Sequence, residues 1–302
     1  MDPIAKLNPD SDSTIFLIKE AIQRDVEVWV AQSDNLTFFK NKLMIRAKKI
    51  KNAKFEETIS KDVFIRNFDF FFIRQDPPFD MKYITNCFLL EIHNKSFQKP
   101  VFINNPSGIK NFTEKIFPLY FYELMPKTTI TSDNIVFKKM LNDCKTVVVK
   151  PLFYKGGEGI FKLSVNEKNP VQTFENLIKS YKCPAVIQKF IDKVRLGDKR
   201  VIIIDGKPVA AINRIPKSGE FKANLHLGGR AEITKLTNKE KAICSKLEPI
   251  IRKNKLFFVG IDLIDEKLTE INVTSPTGLT QVLTLYDLDL SKVIWDKLLS
   301  KL

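Results

Sequence analysis

The apolar pattern along this chain switches repeatedly between helical and strand-like periods. TIFLIKEAIQRD (14–25) carries apolar residues at helical spacing, while VEVWVA (26–31) and FDFFFIR (68–74) are short apolar runs of strand type. FLLEIHNKS (88–96) then reads as a helix and VFINNP (101–106) as a short strand. Alternating units of this kind predict an open parallel α/β sheet with helices on its faces, ending near residue 112. The opening MDPIAKLNPD reads as a loop that follows a strand, yet no strand precedes it.

Beyond residue 112 hairpins take over. TEKIFPLYFYELMP (113–126) predicts a helix that carries Lys115 and is stopped by Pro126. KTVVVKPLF and GIFKLS flank the turn YKGGEG, which makes a hairpin with a glycine-rich tip. It is not a P-loop, which needs a following helix and a Gly-Lys-Ser/Thr ending. AVIQKFI is an apolar strand, and RVIIIDGKPVAAINRI is a hairpin closed by Asp205 and Gly206. The span 216–230, PKSGEFKANLHLGGR, has three glycines and weak periodicity, as a lid or binding loop does. Thr237 and Glu240 form a capping box for a helix with Ile243, Leu247, Ile250 and Ile251 on one face. That helix leads into VGIDLIDEKLTEINVTSP, where Asp262, Glu270 and Asn272 interrupt an apolar strand pair.

Composition narrows the class. With 302 residues, 44% hydrophobic and 28% charged, the chain has room for more than one domain. It has no apolar run of membrane-spanning length, and MDPIAKLNPDSDS lacks the basic and apolar segments of a signal, so a cytoplasmic location is expected. Cys87, Cys144, Cys183 and Cys244 are widely spaced and read as free thiols. The net charge of +14 is mostly Lys spread along the whole chain, without a nucleic-acid motif, so it points to no nucleic-acid partner.

The polar residues inside apolar strands carry the candidate chemistry. Glu270 and Asn272, two apart in a strand, face one way, and with Asp262 they offer the hard oxygen donors Mg2+ prefers. The alternative is a polar face on a surface hairpin, which the apolar surroundings oppose. Lys150 ends VVVK before Pro151 and, like Lys115, can hold a phosphate as a point charge or remain a solvated surface Lys. Gly156, Gly157 and Gly159 allow backbone N–H groups to approach phosphate oxygens. Arg200 and Arg214 suit bidentate grip of phosphate or carboxylate, the bland alternative being a surface ion pair between Asp198 and Arg200. His93 falls in a helix remote from the motifs and His226 has no nearby acidic or Cys partner, so both are left outside the chemistry. Together the Lys, the Gly-rich hairpin, the Arg pair and the Asp/Glu/Asn cluster are what ATP held between two β-rich lobes requires.

In MDPI, RQDPPFD, INNPSGIKNFTEK, VVVKPL, GGEGIF, GDKRV, DGKPV, NRIP, GGRAE, LFFVGID and LTEINVTSPTG the chain resembles the prokaryotic glutathione synthetases of the ATP-grasp superfamily, over almost its whole length. The resemblance implies an N-terminal pre-ATP-grasp domain (1–112), then an ATP-grasp domain of a central lobe (113–190) and a C-terminal lobe (191–302) with its lid at 216–230. It implies ligation of γ-glutamylcysteine to glycine through an acyl phosphate, with ATP and Mg2+ or Mn2+. Lys115, Lys150, Gly156 and Gly157 would contact ATP phosphates, with Asp198 also at the nucleotide. The backbone from Gln188 through Lys189 and Phe190 to Ile191 would meet the adenine. Asp262, Glu270 and Asn272 would hold two metal ions, and Arg200 and Arg214 would face the transferring phosphoryl group. Arg74, Asn224, Arg230, Ser275, Thr277 and Gly278 would position the peptide substrate. The family also implies a homo-oligomer, a tetramer, with no membrane partner.

The chain departs from the family in a few places. Phe153-Tyr154 replaces an Asp-Gly before the hairpin glycines, with Gly159 as an added glycine. The lid carries Lys222 in place of Arg, then Asn224, His226 and Leu227, and Leu279-Thr280-Gln281 replaces Ile-Arg-Glu after SPTG. These leave the metal and nucleotide residues intact and bear on the peptide site and lid, which keeps a related ATP-grasp ligase with another acyl donor or acceptor as an alternative. A basic binding protein without turnover is opposed by the intact Asp262, Glu270 and Asn272. The family begins several apolar residues before its MDP motif, so a first strand missing from the N-terminal sheet, with an exposed strand edge, is expected.

Overall fold

The computed structural model describes residues 1–301, and the side chain of His226, one of the lid departures, lies outside the described residues. Helix α1 (Ser13–Gln23) starts at Asp12, whose carboxylate accepts from the backbone N–H groups of Thr14 and Ile15. Strand β1 (Trp29–Val30) pairs antiparallel with β3 (Lys42–Lys49), which also pairs β2 (Leu36–Phe39) and β4 (Lys61–Phe64). Strand β5 (Phe70–Phe72) pairs parallel with β6 (Val101–Ile103) across helix α2 (Met81–Ser96). The single parallel sheet expected for this region is therefore two sheets, one antiparallel and one a parallel pair. The antiparallel hairpins between residues 36 and 64 account for the difference. A tight turn at Lys40 and Asn41, both with positive φ, folds β3 back on β2.

After the short α3 (Pro106–Asn111), Lys115 lies in a turn and a 3-10 stretch follows at Phe117–Leu124. The α-helix read from TEKIFPLYFYELMP is thus not formed. Pro118 sits in the first turn of the 3-10 stretch and Phe121 breaks it with non-helical dihedrals. Strands β7 (Thr128–Thr131), β8 (Thr146–Pro151), β9 (Phe161–Ser164) and β10 (Ala185–Lys189) form the second of the three larger sheets among the described residues, in the order β7-β10-β8-β9. Helices α4 (Asn134–Cys144) and α5 (Pro170–Tyr181) cover one face of it, where Phe137 and Phe174 stack over Val147, Val149 and Ile187.

Strands β11 (Asp198–Ile204), β12 (Lys207–Ile215), β13 (Arg230–Ile233), β14 (Phe258–Ile264) and β15 (Lys267–Asn272) form the third sheet, in the order β13-β12-β11-β14-β15. Helix α6 (Asn238–Lys253) opens on the expected capping box and packs Ile243, Leu247 and Ile251 against one face. On the opposite face, α7 (Leu279–Tyr286) and α8 (Leu290–Leu299) share a core with α1, joining the chain's two ends. Asn104 stitches the N-terminal part to this sheet: its amide donates to Phe258 O and Val273 O and accepts from Phe258 N–H, each at 2.7 Å. The thiols of Cys87 and Cys244 are buried and pushed up to about 12 and about 11 by that burial, as inert core residues. His93 is buried too, its Nε2 3.0 Å from Lys99 O, and is structural.

Candidate active site

The second and third sheets face one another across a cavity of about 140 Å3. Strand alternation decides what enters it. In β8, Val147 and Val149 point into the helix-covered core, which turns Val148 and Lys150 to the cavity. In β10, Ala185 and Ile187 do the same and release Gln188, whose amide donates to Thr128 Oγ1 at 2.9 Å. From the third sheet, the register aligns Arg200 with Asp262 and Asp262 with Glu270, one row of polar side chains across three strands. A bulge follows Asp262, a device that re-aims side chains beside functional sites.

This row is buried and tightly paired. Arg200 grips Asp262 with two bonds, Nε to Oδ1 at 2.5 Å and Nη2 to Oδ2 at 3.0 Å. Arg214 Nη2 lies 2.9 Å from Asp262 Oδ1 and 2.8 Å from Asp198 Oδ2. The surface pair of Asp198 with Arg200 is not formed, since cross-strand register puts Asp198 opposite Arg214. Burial opposes ionisation of Asp262, and the guanidinium charges of Arg200 and Arg214 overcome it, holding the carboxyl well below its ordinary range. For Asp198 burial prevails and the carboxyl is pushed up, and its Oδ1 has no partner among the described residues. Gly260 makes room for this packing, because a Cβ there would lie 3.1 Å from Arg200 Cδ.

Lys115 and Lys150 flank Glu270, at 4.0 Å and 3.6 Å from Oε1. Lys115 also donates to Tyr154 O at 2.6 Å, so the residue that departs from the family anchors this cavity lysine through its backbone. Its ring packs edge-on against Tyr181. The hairpin tip leans on the lid. Lys222 Nζ donates to Gly157 O at 3.0 Å, and at Gly157, with φ +80°, a Cβ would lie 3.0 Å from Asn224 Oδ1. With the hairpin and the span 216–230 touching, the cavity is smaller than the roughly 300–1,000 Å3 of ligand pockets.

Nearly all the nucleotide, catalytic and metal residues expected from the sequence converge here, together with Asn224. Val148, Ile160, Val194 and Ile264 add an apolar slot beside Gln188. Of the backbone expected to meet the adenine, the N–H groups of Lys189 and Phe190 bond Lys127 O and Thr146 O. The peptide residues do not converge. Arg230 is exposed and pairs with Glu232, and Ser275, Thr277 and Gly278 lie outside the cavity lining. Arg74 is buried and donates to Pro276 O at 2.8 Å and Thr14 Oγ1 at 3.1 Å, bracing that loop from behind. Thr280 bonds Ser11 O, which ties α7 to the loop before α1.

Glu114 was not among the residues singled out from the sequence. It lines the cavity half-buried, accepts from Thr274 Oγ1 at 2.6 Å, and desolvation raises its pKa. Its only sequence signal is an acid beside Lys115 in NFTEK. The donor set suits a divalent cation. Asp262 and Glu270 supply carboxylate oxygens and Asn272, whose Nδ2 donates to Asp262 Oδ2 at 3.3 Å, carries an amide oxygen beside them, and the cations around them are already matched by carboxylates. A triphosphate entering such a site needs metal ions to offset its charge.

Two family models cover the chain: prokaryotic glutathione synthetase, N-terminal domain, over residues 1–110, and prokaryotic glutathione synthetase, ATP-grasp domain, over residues 114–287. The glutathione synthetase of Agrobacterium fabrum is 36% identical, with 100% of this chain and 95% of the relative covered. That of Rhodopseudomonas palustris is 38% identical, with 100% and 97% covered. Among solved structures, the macrocyclase MdnC of Microcystis aeruginosa, bound with its precursor peptide MdnA, superposes with a TM-score of 0.64 over 97% of each chain, and at 16% identity it shares the fold. With these matches along its length, this chain belongs to the prokaryotic glutathione synthetase family and carries its ATP-grasp fold.

Proposed function

We propose that this protein synthesises glutathione, joining γ-glutamylcysteine to glycine at the expense of ATP. A free carboxylate is a poor electrophile. Transfer of the γ-phosphoryl group to the cysteinyl carboxylate supplies a leaving group, after which the glycine amine attacks the acyl carbon, the C–N bond forms, and phosphate departs with ADP. The base would lie in the slot of Val148, Ile160, Val194 and Ile264, with its edge at Ile191 and Gln188. Lys115, Lys150 and the N–H groups of the Gly156-Gly157 hairpin would hold the phosphates. Asp198, with an acceptor oxygen to spare, would bind at the nucleotide too.

Asp262, Glu270 and Asn272 would hold Mg2+, which would offset the charge of the phosphates and the charge developing on transfer. Arg200 and Arg214 would release part of their grip on Asp262 to face the transferring phosphoryl group. The loop Ser275 to Gly278, braced by Arg74, would flank the peptide substrate. The observation that carries this reading is the meeting of Lys115, Lys150, Arg200, Arg214, Asp262 and Glu270 in one buried cavity between two sheets.

The test supplies purified protein with MgATP, γ-glutamylcysteine and glycine and follows ADP and glutathione by mass spectrometry. Equal yields of both are expected. ADP formed only with a different acceptor, or none with any, overturns the reading. Glu270→Gln is expected to keep the native circular dichroism spectrum and to lose turnover; a wild-type rate in this variant would remove Glu270 from the metal site.

A further inference from the structure

Residues 74–79 join β5 to α2 and are held on several sides. Arg74 donates to Thr14 Oγ1 and Pro276 O, and Gln75 Oε1 accepts from Asn86 Nδ2 at 3.2 Å. Asp80, the next residue, caps α2 by accepting from Tyr83 N–H at 2.9 Å. Phe79 is buried in the core under α2, its ring 4.8 Å from that of Tyr83. A segment pinned in this way opens only together with the core that holds it.

The same segment reaches across to the glycine hairpin between β8 and β9. Phe79 N–H donates to Phe153 O at 2.8 Å, and the Phe153 ring packs against the core under α2, 6.4 Å from the Phe79 ring. Lys155 lines the cavity between the second and third sheets, yet its ammonium turns to Asp76 and pairs with the carboxylate there. Between the two, Tyr154 O accepts from Lys115. All three residues before Gly156 are therefore tied down, Phe153 and Lys155 to the 74–79 segment and Tyr154 to a cavity lysine. On the far side of the tip, Gly159 abuts Tyr181 of α5, where a Cβ would lie 2.4 Å from the hydroxyl oxygen. At its other end the segment carries Arg74, whose bond to Pro276 O fixes the loop Ser275 to Gly278. One stretch of six residues thus holds both the hairpin and that loop.

Resting on the function proposed above, in which the hairpin lies over the phosphates and the loop flanks the peptide, we propose that residues 74–79 set the distance between the γ-phosphoryl group and the carboxylate that receives it. Asp76, Lys155 and Phe153 are then positioning residues, which act through the hairpin backbone and not on the reacting atoms. Phosphoryl transfer depends on placement and charge, and a displacement of about 1 Å costs about 100-fold in rate. Burial of the Phe153 ring is the stronger hold, and the half-exposed pair of Lys155 with Asp76 the weaker one.

The test measures glutathione and ADP formed by the wild type, Asp76→Asn, Lys155→Met, the double variant, Phe153→Ala and Phe153→Leu, with the melting temperature of each. The two single charge variants are expected to lose about threefold in kcat with the Michaelis constants unchanged, and the double variant to lose no more than either. Phe153→Ala is expected to lose about tenfold, and Phe153→Leu, which keeps an apolar anchor, less. In these variants ADP is expected to exceed glutathione, because a phosphoryl group out of register passes to water and leaves as phosphate without forming the acyl phosphate. Lowered stability alone changes the melting temperature and the active fraction and leaves the ratio of ADP to glutathione at its wild-type value. Losses that add in the double variant, a rise in the Michaelis constant for ATP alone, or an unchanged ratio of ADP to glutathione in every variant overturns the proposal. A wild type that makes no glutathione sinks the proposed function and this proposal with it, whereas an active wild type matched by all its variants sinks this proposal alone.

Discussion

Asp262 shows why single residues at this site do double duty. Its carboxylate pairs with two buried guanidinium groups, so its removal leaves Arg200 uncompensated and Arg214 with Asp198 alone. Asp262→Asn is expected to cost about 3–5 kcal/mol in urea unfolding. A loss below about 1 kcal/mol would mean that water reaches the pair and that the row is not the sealed unit described here. The identity of these residues was legible in the sequence because hard donors and arginines stand out against VGIDLI and RVIII. Their partnership was not, because Asp198 and Arg200 share a strand face while the true partner of Asp198, Arg214, is set by cross-strand register. Glu114 escaped for a related reason: its burial depends on a turn beneath β15 that no local pattern announces.

Among the elements, α2 and α3 are joined by an ion pair of Glu91 with Lys110, reinforced by Lys95 at 3.0 Å. The bond from Lys110 lowers the Glu91 carboxyl from its ordinary 4.5 to about 2. A depressed folded-state pKa gives stability that is present above the ordinary value and lost as pH falls toward the folded one. The gap in unfolding midpoint between the wild type and Glu91→Gln is therefore expected to hold above pH 4.5 and to close as pH falls to about 2. A gap that does not vary with pH would assign the pair no electrostatic role. The element pattern was legible where periods were long and capped, as in α1, α6 and the β11-β12 hairpin. It failed over residues 36–64, where β2 is mostly exposed and β3 buries Leu43, Ile45 and Ala47 but runs Leu43-Met44-Ile45 together in sequence. It failed again at Phe117, where aromatic residues at helical spacing are diverted by Pro118 into a 3-10 path.

For the molecule as a whole, Asn104 is the joint between the N-terminal part and the third sheet. Asn104→Ala strands buried backbone groups of Phe258 and Val273, at about 1–3 kcal/mol for each group left unpaired. A loss of about 3 kcal/mol is expected by calorimetry. A loss under 1 kcal/mol would mean that solvent reaches the joint. The other joint is made by the ends of the chain: Trp295 Nε1 donates to Leu17 O at 2.9 Å, and Leu17, Ala21, Ile294 and Leu298 share one core. During synthesis this arrangement has a cost in time. The ribosome makes α1 long before α8, so the apolar face of α1 waits while the 278 positions that separate Leu17 from Trp295 are read. The core they share closes only once α8 has cleared the exit tunnel.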